Sequence, residues 1–172
     1  VSEKPYLLID IDGVLNPYAQ SNTQLRKAKT HTKHRIRGFD VWLRRDHGKQ
    51  LLDLTDVFDL VWATTWEAAA NTEIGPRLGL PELPFIPFEK LCPKQPPQPG
   101  LYWKTAVINA YAYGRPFAWI DDECSGRDMI FLAQWHTNSF LMKKIDPAIG
   151  LVDENFVELR RWAEEEMYDD VD

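Results

Sequence analysis

Cysteine is scarce. Only Cys92 and Cys124 occur among 172 residues, too few for a disulfide framework, and neither has metal-ligand spacing. No apolar run approaches the roughly 20 residues of a membrane span, and the N-terminus lacks a signal-peptide pattern. A soluble, cytoplasmic protein with no membrane partner is expected. Basic residues are not in excess either: 20 Lys and Arg stand against 26 Asp and Glu, a net charge of −6, so any attraction to a polyanion has to be local. The apolar fraction of 44% and charged fraction of 27% exclude a disordered or fibrous chain. The length suits a single domain over 1–172, one that buries roughly 70% of the surface its unfolded chain exposes.

Charge is unevenly spread. Between Gln24 and Arg37 lie Arg26, Lys27, Lys29, Lys33, Arg35 and Arg37 with two histidines and no acid. From Asp153 to the end, nine acids face only Arg160 and Arg161, and residues 165–172 read as an acidic tail that frays into solvent. Seven tryptophans are many for this length. Trp62 and Trp119 lie in apolar runs and read as core, whereas Trp42, Trp66 and Trp103 lie near polar segments and are candidates to line a pocket.

The chain is organised around Tyr6–Asn16. Tyr6, Leu7, Leu8, Ile9 and Ile11 are apolar, the pattern of a strand buried on both faces. That strand ends in two carboxylates, Asp10 and Asp12, with Gly13 next to let the chain turn away. Like charges about 4 Å apart repel by roughly 1 kcal/mol in water and about four times that near a protein surface. The pair therefore shares a proton or sits beside a cation, and a hard divalent ion such as Mg²⁺ resolves the conflict.

Residues 17–37 are polar and lack strand or helix periodicity over most of their length, so a long functional loop is expected. Ile36–Leu43 reads as a strand and Lys49–Val57 as a helix. Asp59–Thr64 is a second buried strand, running through Thr64 and Thr65 into a helix over Glu67–Leu78, with Thr65 as its N-cap. Phe85-Ile86 reads as a short edge strand bracketed by prolines. Leu101–Tyr113 reads as a helix stopped by Gly114, with Lys104 in its first turn. A cation there is unfavourable, which points to an anionic neighbour. Pro116–Ile120 is a third buried strand and again runs into adjacent acids, Asp121 and Asp122. Glu123 and Asp128 read as surface or cap residues. A helix over Gly126–Trp135, a strand over Ser139–Met142 and a closing helix over Asp153–Met167 complete the chain. Alternation of strands and helices argues for an α/β fold with a parallel sheet, whose ligand site lies beyond the C-terminal strand ends.

Asp10-Ile-Asp12-Gly-Val14-Leu15 resembles the first motif of the haloacid dehalogenase-like (HAD) superfamily. Thr64, Lys104 and the Asp121-Asp122 pair resemble its second, third and fourth motifs. The resemblance implies a three-layer Rossmann-like sheet of order 5-4-1-2-3, with a β-hairpin flap and a small basic insert over 17–43. It implies a Mg²⁺-dependent phosphatase. Asp10 is then the nucleophile that forms an aspartyl-phosphate, and Asp12 the general acid and base. Thr64 and Lys104 hold phosphate oxygens, with Thr65 beside them. The metal falls to Asp10, Asp122 and the backbone carbonyl of Asp12. Asp121 has a supporting role, orienting Lys104 or a water on the metal. The second acid, Asp12, marks phosphate chemistry over dehalogenation, because an ester leaving group needs a proton and a halide does not.

The small insert implies an open site and a large substrate. The basic segment beside it suits a polyanion, and Trp or Tyr residues suit base stacking. The DIDGVLN start and the WATTWEAAAN stretch are similar to small HAD domains associated with RNA-repair proteins, which implies a nucleotide or a nucleic-acid terminal phosphate as substrate. A small-metabolite phosphatase and a non-catalytic scaffold that binds a partner through the basic loop remain the alternatives. The sequence leaves the oligomeric state open.

Overall fold

Strand β1 (Tyr6–Ile9) lies inside a parallel sheet between β4 (Asp59–Trp62) and β5 (Phe117–Asp121). The computed structural model describes residues 3–18, 29–92 and 98–169. Side chains along a strand alternate between faces, and here each face meets a separate core. Leu7 and Ile9 join Leu60, Trp62, Ala118 and Ile120 in one. Leu8 joins Val61, Phe117 and Trp119 in the other. Each fully buried Leu or Ile of β1 contributes roughly 1.5–3 kcal/mol.

The first core is covered by α1 (His47–Asp53), α2 (Gly75–Leu78) and α6 (Asp153–Asp169), and the second by α3 (Phe88–Leu91), α4 (Thr105–Ala112) and α5 (Gly126–Trp135). The result is a helix–sheet–helix sandwich of the Rossmann type. None of the helices among the described residues is long and apolar enough to cross a membrane.

The sheet runs β4-β1-β5-β6, with β6 (Phe140–Lys144) parallel at one edge. The expected order requires a fifth strand beside β4. There the chain supplies one bridged residue, Phe85 against Trp62. Trp62 donates its N–H to the Pro84 carbonyl and accepts from Ile86 N–H, both at 2.9 Å. Pro84 and Pro87 lack the N–H groups that would extend the ladder.

The flap differs from its expected form. Strands β2 (His31–Ile36) and β3 (Phe39–Arg44) make an antiparallel hairpin whose two-residue turn, Arg37-Gly38, falls inside the stretch read as one strand, Ile36–Leu43. Both turn residues have positive φ, 50° and 85°, as a type I′ hairpin demands. β2 escaped the periodicity test because Ile36 is its one aliphatic residue. It is held from the polar side, by Lys33 and Arg35 on Asp40 at 2.7 and 2.8 Å. Arg26 and Lys27 lie outside the described residues.

Helix positions shift by local causes. The stretch expected over Glu67–Leu78 begins at residue 68 and passes through a π-helical turn, Ala70–Ile74, just before Pro76. Proline has no N–H to give and its ring presses on the carbonyl four residues back, and a widened turn relieves both. The acidic end stays helical to Asp169 where fraying was expected from 165. Trp42 is 5% exposed and belongs to the core instead of a pocket.

Candidate active site

Because β1, β4 and β5 are parallel, Asp10, Thr64, Asp121 and Asp122 emerge at the same sheet edge. Asp10 follows β1 directly, Thr64 comes two residues after β4, and Asp121 ends β5. Asp10, Asp121 and Asp122 are all buried, and each offers a carboxylate oxygen within 4.8 Å of the other two. Lys104 Nζ sits among them, 3.1 Å from Asp10 Oδ2 and 2.8 Å from Asp121 Oδ2. Its third donor goes to the Ala63 carbonyl at 3.0 Å.

Fully ionised, three carboxylates against one ammonium would leave two negative charges in a buried pocket. A single divalent cation matches that excess, and oxygen-only donors suit Mg²⁺. The strain is visible on Asp10, whose carboxyl is pushed up to about 7 by burial, against the pull of Lys104. Burial also raises Asp121 above the usual carboxylate range. Burial alone would lower the Lys104 ammonium, but Asp10 and Asp121 outweigh it and hold it above its ordinary value.

Asp12 stands apart from that cluster, and both of its carboxylate oxygens are occupied. Asn16 Nδ2 donates to Oδ1 at 2.9 Å and Trp66 Nε1 donates to Oδ2 at 2.8 Å. Asn16 Oδ1 accepts the buried Trp42 backbone N–H at 2.8 Å, so one side-chain amide ties Asp12 to the hairpin. The turn that makes this possible folds back on itself, with Val14, Leu15 and Asn16 N–H groups all aimed at the Ile11 carbonyl. Asp122 Oδ2 accepts from the Tyr18 hydroxyl at 2.6 Å, a bond that, first among its causes, raises the phenol above its ordinary pKa.

Gly13 is required on two counts. Its φ is +77°, and a Cβ there would lie 2.4 Å from both Cγ and Oδ2 of Asp122. Gly13→Ala is expected to cost about 2 kcal/mol or more and to weaken divalent-cation binding by displacing Asp122. Denaturant unfolding and a Mg²⁺ titration check this; an unchanged midpoint and affinity would refute it.

Lys104 occupies the N-cap position of α4, one residue before the helix, instead of lying inside its first turn. Asp128 explains the shift. Fully buried, it accepts from Tyr102 N–H at 2.8 Å and from the Thr105 hydroxyl at 2.6 Å, and it closes a capping box with Ser125 on α5. These bonds pin the turn before α4 to the start of α5 and set where Lys104 points. Phe88, Tyr102 and Trp103 surround the ammonium with ring centroids 5.6–5.8 Å away, inside cation–π range.

Thr64 is buried, and its Oγ accepts the Trp66 N–H at 3.3 Å, which leaves the hydroxyl hydrogen available. Thr65 is exposed and lies three residues before the helical backbone begins at residue 68, two short of the N-cap position, so it does not cap it. It lines two adjoining cavities of about 570 and 650 Å³ that share Arg37, Thr65 and Trp66.

Thus Asp10, Lys104, Asp121 and Asp122 converge, with both Asp121 and Asp122 offering oxygens. Asp12 and Thr64 stand beside them at the same edge. Asn16 and Tyr18 were not anticipated as site residues. The tight turn after Gly13 is the only sequence signal that places them near Asp12.

A family model described as the HAD domain in Swiss Army Knife RNA repair proteins matches residues 6–156. No curated protein matches the chain.

Proposed function

The chain belongs to the family of the HAD domain in Swiss Army Knife RNA repair proteins, and from that premise we propose that it is a Mg²⁺-dependent phosphohydrolase acting on the terminal phosphate of a nucleotide or nucleic acid. The buried acidic cluster around Lys104, with its two uncompensated negative charges, is the observation that carries this reading. Asp10, Asp121 and Asp122 would hold the metal, which when bound offsets the repulsion between a carboxylate nucleophile and a phosphate dianion.

This chain's residues do the rest. Asp10 attacks phosphorus in line, and the bond to the ester oxygen breaks as an aspartyl-phosphate forms. Asp12 gives its proton to the departing oxygen. It then takes a proton from the water that attacks the acyl phosphate, which restores Asp10 and releases inorganic phosphate. Asn16 and Trp66 fix the direction in which Asp12 faces. The Thr64 hydroxyl donates to a phosphate oxygen. All three Lys104 donors are engaged within the protein, so its main contribution is to hold Asp10 ionised and oriented.

The test is a screen of nucleotides, sugar phosphates and phosphorylated oligonucleotide ends, with and without Mg²⁺. Turnover confined to sugar phosphates would favour a metabolite phosphatase, and inertness toward every phosphomonoester would favour a scaffold. Asp12→Asn should cost about 10²–10⁴-fold with an alkyl phosphate and markedly less with a nitrophenyl phosphate, whose leaving group needs no proton. Equal losses on both would remove Asp12 from proton transfer.

A further inference from the structure

We infer that the cavity of about 570 Å³ beside Asp12 is a stacking subsite for the base of the departing nucleoside or oligonucleotide, and that it reads a flat aromatic face without reading base identity. This inference rests on the phosphohydrolase reading for its orientation. Asp12 forms part of the wall, and the group that departs from phosphorus must lie on the side of the residue that protonates it.

The lining is unusual in what it leaves free. Tyr18, Phe39 and Trp66 reach the cavity from three separate parts of the chain. Phe39 is 69% exposed and Tyr18 is 56% exposed, a poor placement for aromatic side chains that serve the core alone. The size falls within the range of small-molecule pockets.

The polar atoms of the same walls are mostly engaged. The Trp66 indole N–H and the Asn16 side-chain amide serve Asp12 and the Trp42 backbone. Tyr18 donates to Asp122. Asp40 is paired with Lys33 and Arg35. A sugar ring or a small polar metabolite would find few hydrogen-bond partners here. Besides the exposed Thr65 hydroxyl, the exception among the described residues is Arg37. It is held at the hairpin turn by one long ion pair to Glu73, 3.8 Å, and is more than half exposed. Aromatic faces plus one available guanidinium suit a base attached to a phosphate.

The second cavity shares the Arg37, Thr65 and Trp66 wall and continues to Phe88 and Trp103. Arg37 thus stands at the junction of two stacking spaces, where the phosphate linking two nucleotides would pass. An oligonucleotide with a terminal phosphate fills both spaces and a mononucleotide fills one.

The experiment compares four Mg²⁺-loaded reactions: a nucleoside monophosphate, a dinucleotide with a terminal phosphate, ribose 5-phosphate and glycerol phosphate. The wild-type ratio of kcat/KM for the base-bearing substrates over the baseless ones is expected to be roughly 5- to 150-fold, the range one stacked base supplies. The four bases should differ among themselves by less than about tenfold, since stacking is sequence-tolerant. Phe39→Ala should reduce the ratio mainly through KM, and Arg37→Asn should reduce the advantage of dinucleotide over mononucleotide. An unchanged unfolding midpoint shows that either variant is folded.

A ratio near one, or one that Phe39→Ala leaves alone, overturns the subsite while the phosphohydrolase reading stands. If every substrate is inert, that reading falls instead. The subsite is then judged by quenching of tryptophan fluorescence with the same monophosphate and ribose 5-phosphate. Tighter binding of the former that is lost in Phe39→Ala supports the inference, and equal binding overturns it.

Discussion

Asp10→Asn is expected to abolish Mg²⁺-dependent hydrolysis of nitrophenyl phosphate, by roughly 10⁴-fold or more, and at the same time to make the metal-free protein more stable at neutral pH. The first effect follows from the proposed mechanism, because the amide oxygen is a poor nucleophile and would not form the proposed aspartyl-phosphate. The second follows from burial. Asp10 titrates at about 7 in the folded chain against 3.8 for the free group. Between about pH 4 and pH 7 the unfolded chain has lost a proton that the folded chain keeps, so the unfolded state binds fewer protons and stability falls as pH rises. The slope from this one group is at most about 1.4 kcal/mol per pH unit, and it ends above pH 7. Denaturant unfolding in EDTA across pH 4–8 should show the decline in the wild type and a flatter curve in the variant. Mg²⁺ should restore stability to the wild type more strongly at pH 8 than at pH 6, because the cation competes with the proton on Asp10. Undiminished turnover in Asp10→Asn would exclude it as the nucleophile. A pH profile identical to the wild type would show that Asp10 is not the strained group.

Lys104→Met should give the largest loss of stability of any single change at the site. The methionine stem fits where the lysine stem lies, among Phe88, Tyr102 and Trp103, so packing is largely kept and the charge is isolated. Removing one partner of a buried ion pair costs about 3–5 kcal/mol, because the other charge is left uncompensated. For a domain of this size that is a fall in Tm of roughly 6–20 °C. Here two carboxylates lose their partner at once, and Asp10 will hold its proton to still higher pH. Adding Asp121→Asn to Lys104→Met should recover more than half of the loss, since it deletes one of the two stranded charges. Calorimetry on both variants in EDTA measures this. A loss below about 1 kcal/mol in the single variant, or no recovery in the double, would show that the ammonium is not what compensates the acids.

Much of the site was legible because its signals are local. An apolar run that ends in a carboxylate, twice, marks a buried strand arriving at a polar site, and both Asp10 and Asp121-Asp122 lie where that pattern put them. Lys104 was legible as a cation at a helix N-terminus, and the anions it required are Asp10 and Asp121. Elements held together by distant partners were not legible. β2 carries one aliphatic residue and is fixed through β3, so its sequence shows no alternation. The start of α4 is set by Asp128 of α5, which reads along the sequence as an ordinary cap residue. Trp42 sits in a polar stretch, but its neighbours in space are the core and Asn16.

The sequence by itself determined the three central strands β1, β4 and β5, their burial on both faces, the acids that follow β1 and β5 and, with parallel pairing, the end of the sheet at which a site would form. These follow from the spacing of apolar and charged residues, which acts over a few positions of chain. The tertiary structure alone decided that Lys104 spends all its donors inside the protein, that Asn16 and Trp66 clamp Asp12, and that Tyr18 reaches Asp122, a contact 104 residues apart in the chain. Those contacts depend on how helices and a hairpin pack against the finished sheet. Packing is settled by shape and by the satisfaction of buried polar groups across the whole molecule, and no short window of sequence contains that information.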